Sequence, residues 1–443
     1  MNLLYLAGIL LKHGIDVQVV DGFTEGKAGI IERVEGYAPD VVGITCLTPG
    51  RKRTFEVAQL VKDFDPGIKV VLGGVHATIM YRQILENYPQ VDFIVLGEGE
   101  ITFLELIRGK QHSQVKGIAY RDGERIEKTK PRRCIEDLDS LPFPAWHLVD
   151  MKKYPPLGKG VYRGIDLSLE PLVQVIFSRG CVGHCNFCST WRIWRGWRCR
   201  SAKNMADEIE LLYRKYGIRR FNFADDAMTV DQNETMRLCK EIIKREMNII
   251  FHMTTRSDCI NENLLRYLKR AGCYSIGFGI ESGSLKILKS IGKETDLKDA
   301  EAAIRLAKKV GLKTTALVMV GNAGETQETV NETLDFLKRT QPDELGCVGG
   351  LWIFPGTNVY HDLKRKGFIS DEFWLGDEPF MVYTVEHSLE ELGRFTIQVR
   401  SYQNRVERWR SEMRNALRGH YLRQLLWKKA MRKAYVFYSP PCR

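Results

Sequence analysis

Short apolar runs alternate with helical stretches along most of this 443-residue chain. The first 110 residues hold four such runs, each typical of a buried strand: 16–20, 40–44, 69–72 and 92–95. Six more follow later, the first five each leading into a helical pattern: 173–178, 219–224, 249–254, 275–280, 312–320 and 347–353. Strands separated by helices form parallel sheets, because each helix returns the chain to the start of the next strand. The alternation therefore predicts an α/β protein.

The spacing of these runs predicts two domains and a tail. Residues 115–129 are typical of a hairpin around Asp122-Gly123, and prolines punctuate the stretch after Pro131. We predict a doubly wound domain, a linker, a partial (β/α)6 barrel and a helical tail, over residues 1–130, 131–170, 171–385 and 386–443. Sites in such barrels lie at the carboxyl ends of the strands.

The chain begins with a helical pattern over 2–13, before any predicted strand. A doubly wound domain would then lack its usual opening strand, so we expect either a late start or a trimmed domain. The opening residues have no signal-peptide pattern, and no apolar run approaches the roughly 18 residues of a membrane span. We therefore expect a cytoplasmic protein.

Positive charge is concentrated at the end of the chain. The net charge is +11, and residues 400–443 hold twelve Lys or Arg against two Glu. Apolar residues recur every three or four positions over 402–433, which predicts a basic amphipathic helix. This helix would pack against the barrel, or place the protein at a membrane surface or on a lipidic substrate; nucleic acid is the least favoured partner.

Three cysteines, Cys181, Cys185 and Cys188, lie within eight residues, just after the first predicted barrel strand. Three thiolates are one too few for a closed tetrahedral site, whereas a cubane iron–sulfur cluster held by three cysteines leaves one iron open. The alternative is a zinc site completed by His184 or Cys199. The other eight cysteines have no framework spacing, which favours reduced thiols.

The CxxxCxxC loop, with Phe187 before its last cysteine, resembles the signature of the radical S-adenosylmethionine (SAM) superfamily. The resemblance implies a [4Fe-4S] cluster whose open iron binds SAM and whose electron cleaves it to a 5′-deoxyadenosyl radical. It also implies SAM contacts from Phe187 and from the ends of later strands: Asp225, Asp226, Arg256, Glu281, Ser282, Val320 and Gly321. The alternative is that these polar groups cap helices or form ion pairs at the barrel rim.

The first domain resembles the cobalamin-binding domains of cobalamin-dependent radical SAM proteins. The resemblance rests on Thr45-Cys-Leu47, Gly73-Gly-Val-His-Ala-Thr78, Gly97-Glu-Gly-Glu100 and Leu138–Trp146. It implies cobalamin contacts from seven residues: Thr45, Leu47, Gly73, Gly74, His76, Glu98 and Gly99. The DxHxxG motif is absent, so cobalamin should bind without a histidine on cobalt. Alternatively, His76 is structural, or the domain is a remnant that binds no cofactor.

Taken together, the resemblance implies C-methylation of an unactivated carbon through methylcobalamin. The alternatives are a radical cyclisation or rearrangement without methyl transfer, and a cobalamin or redox sensor. A methylthiotransferase would bring three further cysteines in its first domain, whereas the region before the barrel has only Cys46 and Cys134. The expected partners are a small-molecule or lipidic substrate and a reductant such as flavodoxin or ferredoxin.

Overall fold

The computed structural model describes residues 2–402, which form two compact units. The first unit contains the residues up to Tyr154 together with Ser189–Arg198 and Phe354–Phe380. The second contains Pro155–Cys188, Cys199–Ile353 and residues 381–402. The predicted domain ranges differ from these units, since they placed 189–198 and 354–380 in the barrel.

The first unit begins with six helices and five strands. The helices are α1 (Asn2–Lys12), α2 (Gly22–Tyr37), α3 (Arg51–Phe64), α4 (Val75–Ile79), α5 (Tyr81–Asn87) and α6 (Glu100–Ile107). The strands are β1 (Val41–Thr45), β2 (Lys69–Gly73), β3 (Phe93–Val95), β4 (Ile118–Asp122) and β5 (Arg125–Lys128).

These strands form one sheet in the order β1-β2-β3-β4-β5. The first three are parallel, and β4 and β5 add the predicted hairpin, whose turn uses the positive φ of Gly123. Val70, Leu72 and Ile94 of the central strands are fully buried, as expected where helices pack on a parallel sheet. The α/β prediction is confirmed here.

The strand predicted at 16–20 does not form, and this prediction is wrong. The segment is non-helical, and its valines at 17, 19 and 20 are only half-buried. A strand requires a hydrogen-bonding neighbour. Among the described residues β1 pairs only with β2, and the segment 16–20 forms no ladder with the other edge of β1.

Arg51 explains why 354–380 belongs to the first unit. Its side chain is 1% exposed; Nε donates to the carbonyl oxygen of Trp374 at 2.7 Å, and Nη2 donates to that of Gly376 at 2.7 Å. The guanidinium also lies 5.3 Å from the Trp374 ring centroid. A buried cation needs such acceptors, and they come from a segment more than 300 positions away in the sequence.

The middle of the chain contains further short elements: β6 (Val161–Tyr162), β7 (Ile165–Asp166), β8 (Val173–Val175), β9 (Ser178–Arg179), α7 (Thr190–Trp194) and β10 (Arg198–Cys199). The regular part of the second unit follows: α8 (Ala202–Tyr216), β11 (Arg220–Phe223), α9 (Gln232–Lys244), β12 (Ile250–Thr255), α10 (Glu262–Ala271), β13 (Cys273–Glu281), α11 (Leu285–Ser290), α12 (Leu297–Lys309), β14 (Lys313–Val320), α13 (Gln327–Thr340) and β15 (Glu344–Gly349). The last elements are β16 (Trp352–Ile353), α14 (Asn358–Arg365), β17 (Met381–Val382) and α15 (Leu389–Arg400).

The second unit is built on a six-stranded sheet in the order β8-β11-β12-β13-β14-β15. All five pairings are parallel, which agrees with the predicted partial barrel. Phe221, Phe251 and Phe278 are fully buried in this sheet. Polar N-caps start several of the helices that separate the strands, among them Ser201 for α8 and Asp231 for α9.

Helix α15 packs against β15, the edge strand of this sheet, and so covers it. Most of the predicted basic helix over 402–433 lies outside the described residues. Within residues 2–402, no helix combines the length and the apolar character that crossing a membrane would require.

Candidate functional site

The cysteine loop follows β9 and ends where α7 begins. The backbone N–H of Gly183 donates to Cys181 Sγ at 3.4 Å, and that of Cys188 donates to the Cys185 carbonyl oxygen at 3.1 Å, so the loop is a series of tight turns. Burial raises the pKa of the Cys185 thiol to about 11; Lys293 lowers it, and Cys188 and Cys181 raise it. The three thiols therefore lie within electrostatic reach of one another.

The second half of this loop rests on the end of α11. Asn186 donates its backbone N–H to the Ile291 carbonyl oxygen at 2.9 Å and its side-chain Nδ2 to that of Ser290 at 3.0 Å. Phe187 packs against the apolar cluster of Ile287, Leu288 and Ile291. Asn186 had not been identified from the sequence, since a polar residue between two cysteines gives no pattern.

An ion pair joins the end of β13 to the turn after α11. Lys293 Nζ lies 2.9 Å from Glu281 Oε1, with only 7% of the lysine side chain and 19% of the glutamate side chain exposed. Glu281 has φ 63°, which is rare for a non-glycine residue, at a register shift between β13 and β14. No sequence pattern predicts this role for Lys293, which comes twelve positions after its partner.

Arg256 lies at the end of β12, against the cysteine loop. Its Nε and Nη2 form a two-pronged pair with Asp258, at 3.0 and 2.7 Å, and a Cβ built on Gly183 would lie 2.6 Å from Arg256 Nη1. Burial lowers the pKa of Arg256, but the hydrogen bond and charge of Asp258 outweigh it and raise the pKa above its usual value. Arg256 therefore forms an ion pair at the barrel rim, which was the alternative to its predicted contact with SAM.

The two aspartates after β11 have different surroundings. Asp225 is 5% exposed and accepts hydrogen bonds from the Phe177 N–H at 3.3 Å and from the N–H and hydroxyl of Ser178. Burial raises its pKa to about 7, although these donors oppose the shift. Asp226 is exposed. Asp225 thus ties β11 to the segment before the cysteines.

Three further residues that we predicted to bind SAM are enclosed by protein. The Ser282 hydroxyl lies 3.2 Å from that of Thr333, and Val320 is buried. A Cβ on Gly321 would lie 2.6 Å from Leu392 of α15, so the close approach at this glycine is to the protein's own helix. These surroundings match structural roles.

In the first unit, open space lies at the carboxyl ends of β2 and β3. Nothing lies within 4 Å of a Cβ built on Gly73 or on Gly97. Thr45 and Leu47 follow β1 at the same edge of the sheet and are exposed, Leu47 by 50%. A large ligand such as cobalamin fits an edge where side chains are missing at neighbouring strand ends. Gly97 is part of the motif Gly97-Glu-Gly-Glu100, but the sequence did not predict it as a cobalamin contact.

Gly74 and His76 are surrounded by their own domain. A Cβ on Gly74, at φ 95°, would lie 2.8 Å from the Cys46 carbonyl oxygen. His76 is 1% exposed, its Nδ1 is 3.1 Å from the Thr48 hydroxyl, and burial lowers its pKa to about 3. These observations favour the structural alternative for His76.

Glu98 and Gly99 also have partners within the first unit. Glu98 accepts from the Ile135 N–H at 2.6 Å and pairs with Arg198 at 3.1 Å, while a Cβ on Gly99 would contact Leu6 at 3.3 Å. Glu98 thereby holds the end of the segment 189–198, and Arg198 is the partner that had not been identified from the sequence.

Three thiols on one loop are the donor set of a cluster that leaves an iron open, so the residues fit the expected group. In the part of the chain that the structure describes, no three Cys, His, Asp or Glu side chains converge on a single-ion site. The ten cysteines described are all free thiols.

Comparisons with known proteins agree with both units. Residues 175–337 match the family model of the radical SAM superfamily, and residues 1–107 match that of the B12 binding domain. An uncharacterized methyltransferase of Pyrococcus horikoshii is 31% identical over 350 residues, 77% of this chain and 74% of the relative.

Another relative is the anaerobic magnesium-protoporphyrin IX monomethyl ester cyclase of Rubrivivax gelatinosus, 34% identical over 354 residues. The match covers 76% of this chain but only 62% of the cyclase. Among solved structures, the radical SAM methyltransferase TsrM from Kitasatospora setae has the same fold, with a TM-score of 0.68 at 20% identity, over 82% of this chain and 73% of TsrM. This chain therefore belongs to the cobalamin-dependent radical SAM enzymes, which use a [4Fe-4S] cluster, SAM and cobalamin.

Proposed function

We propose that this enzyme transfers a methyl group from SAM, by way of cobalamin, to a carbon atom that is not a nucleophile. The observation that carries the proposal is the similarity to the Pyrococcus methyltransferase, which extends over three quarters of both chains. When bound, the cluster supplies the electron that cleaves SAM, and cobalamin supplies the methyl carrier.

We assign the cluster to Cys181, Cys185 and Cys188. The thiols share one loop, and Lys293 favours the thiolate form of Cys185 against the effect of burial. Thiolate is the form that binds iron. The turn after α11 thereby supplies a positive charge next to the ligand that is most deeply buried.

We assign SAM to the polar groups that face this loop. Asp226, exposed after β11, accepts from the SAM ammonium group, and Arg256 Nη1, next to Gly183, donates to the carboxylate. Glu281 accepts from the ribose hydroxyls, with its charge balanced by Lys293. Phe187 contributes an apolar surface. The other predicted SAM residues are enclosed by protein and position these groups without contacting SAM: Asp225, Ser282, Val320 and Gly321.

We assign cobalamin to the open edge of the first sheet. Thr45 offers a hydroxyl, Leu47 an exposed apolar side chain, and Gly73 and Gly97 the space for close approach. The other predicted cobalamin residues stabilise the backbone of this edge through contacts within the first unit: Gly74, His76, Glu98 and Gly99.

The test needs no knowledge of the substrate. Anaerobically reconstituted, reduced protein with hydroxocobalamin receives SAM labelled in its methyl group. Methyl transfer predicts S-adenosylhomocysteine and label on cobalamin. The Cys185→Ala variant should lose SAM cleavage to 5′-deoxyadenosine, and the Cys134→Ala variant, in the first unit, should keep it. Cleavage to 5′-deoxyadenosine with no S-adenosylhomocysteine would count against methylation.

The other candidate function is an oxidative cyclisation without methyl transfer. It predicts cleavage to 5′-deoxyadenosine with no S-adenosylhomocysteine. Its support is the 34% identity to the cyclase, of whose length the chain spans 62%. For either reaction we propose a small-molecule or lipidic substrate and a flavodoxin or ferredoxin as reductant. The basic residues after Arg400 are suited to an anionic membrane surface.

A further inference from the structure

We infer that Asn186 is a positioning residue for the cluster, fastening the segment between Cys185 and Cys188 to the last turn of α11. The inference rests on the proposed function in one respect: it takes the three cysteines as cluster ligands.

Asn186 forms two hydrogen bonds to adjacent carbonyl groups at a helix end. Its backbone N–H reaches the Ile291 oxygen at 2.9 Å, and its Nδ2 reaches the Ser290 oxygen at 3.0 Å. The last carbonyls of a helix have no partner inside it and require donors from elsewhere. Asn186 supplies such donors from within the cysteine loop, so the helix end and the loop fix each other.

The same turn also carries the charged groups around the thiols. The backbone N–H of Lys293 donates to the Leu288 oxygen at 2.9 Å, and Arg256 Nη2 donates to the Glu294 oxygen at 3.2 Å. Asn186 therefore connects the thiols to the turn that sets the positions of Lys293 and Arg256. If the loop moved relative to this turn, both cations would change their distance from the thiols.

The amide group of Asn186 suits this position better than a carboxylate would. Nδ2 must donate to a carbonyl, and Oδ1 is shielded from solvent with no hydrogen-bond partner among the described residues. An ionised aspartate has no donor and would place a shielded charge next to the thiolates and a carbonyl oxygen. Glutamine keeps the donor on a longer side chain.

The first test uses metal-free, reduced protein, so it does not depend on cofactor loading. Iodoacetamide alkylation of Cys185 and Cys188 is followed by mass spectrometry, with Cys134 of the first unit as the internal reference. Losing one hydrogen bond should increase local opening, so Asn186→Ala should be alkylated about fivefold faster at both cysteines. Asn263→Ala, an exposed residue on α10, should match the wild-type protein.

The second test uses reconstituted protein and reads the cluster by electron paramagnetic resonance. Asn186→Ala and Asn186→Asp should hold less iron and show a smaller spectral change when SAM is added, and Asn186→Gln should recover part of both. Cobalamin binding should be unchanged in all three variants.

Unchanged alkylation and spectra in Asn186→Ala would overturn the inference. So would a loss of cobalamin binding in parallel with iron, since Asn186 would then support the whole fold rather than the loop. Failure of the wild-type protein to cleave SAM would instead count against the proposed function, and the alkylation result would still stand.

Discussion

Asp225 and Asp226 are chemically identical neighbours, yet the protein places them in opposite environments. Asp225 is enclosed by donors from Phe177 and Ser178, and Asp226 faces solvent. Two adjacent acids at a strand end suggested a paired ligand set from the sequence. Only the fold shows that Asp225 is buried among hydrogen-bond donors of its own chain.

The enclosed carboxyl makes stability depend on pH. Because burial raises the pKa of Asp225 to about 7, the folded protein holds this proton more tightly than the unfolded chain. The resulting stability is complete below the ordinary pKa of aspartate, about 3.9, and is lost as the pH rises through about 7. The wild-type protein should therefore lose stability relative to Asp225→Asn between about pH 4 and pH 7.

Urea unfolding of the cofactor-free protein at several pH values measures this difference. Asp299→Asn, an exposed aspartate on α12, serves as the control for the loss of one surface carboxylate. Parallel curves for Asp225→Asn and the wild-type protein would show that Asp225 does not titrate in this range.

Lys293 is the second residue whose role depends on its surroundings. Lys293→Met removes the partner of Glu281 and the positive charge near Cys185. Since hydrogen bonds to charged groups contribute about 1.5–3 kcal/mol, SAM affinity should fall by roughly tenfold or more. Equilibrium dialysis with reconstituted protein measures it. Lys289→Met, an exposed residue on α11, should bind SAM normally, and normal binding by Lys293→Met would contradict a role of Lys293 in holding Glu281 for SAM.

At the scale of elements, the sequence predicts correctly those features that depend on residues close together in the chain. Apolar runs and helical periodicity located the strands of both sheets, and the cysteine spacing located the loop. The strand predicted at 16–20 failed because strands need partners, which a local pattern does not contain. The roles of Lys293 and Asn186 could not be predicted for the same reason, since the fold brings their partners to them.

The 3₁₀ helix Asp371–Leu375 and the residues after it depend on one such distant partner. Arg51→Met would leave the carbonyl oxygens of Trp374 and Gly376 without their buried donor. We expect a loss of about 2–4 kcal/mol in unfolding free energy and faster proteolysis between 366 and 380. Lys52→Met, which removes an exposed pair with Asp377, should cost about 0.5 kcal/mol or less. Equal effects of the two variants would contradict the role given to Arg51.

At the scale of the whole molecule, the two units should respond to different ligands. Hydrogen exchange followed by mass spectrometry should show that hydroxocobalamin protects 41–48, 73–79 and 96–99. SAM, added to reconstituted protein, should protect 181–188, 225–227, 255–258 and 281–294. The hairpin β4–β5 should be unaffected by either ligand. Protection of the same peptides by both ligands would contradict separate binding sites.

The first unit is built from three separate segments of the chain, and this has a consequence for engineering. The two later segments, 189–198 and 354–380, supply the partners of Glu98 and Arg51. A fragment ending near Tyr154 would retain the cobalamin motifs but leave a buried arginine and a buried glutamate without counterparts. Such a fragment should express poorly and bind cobalamin weakly. The domain therefore cannot be exchanged between relatives as a cassette: a functional graft must carry all three stretches of chain.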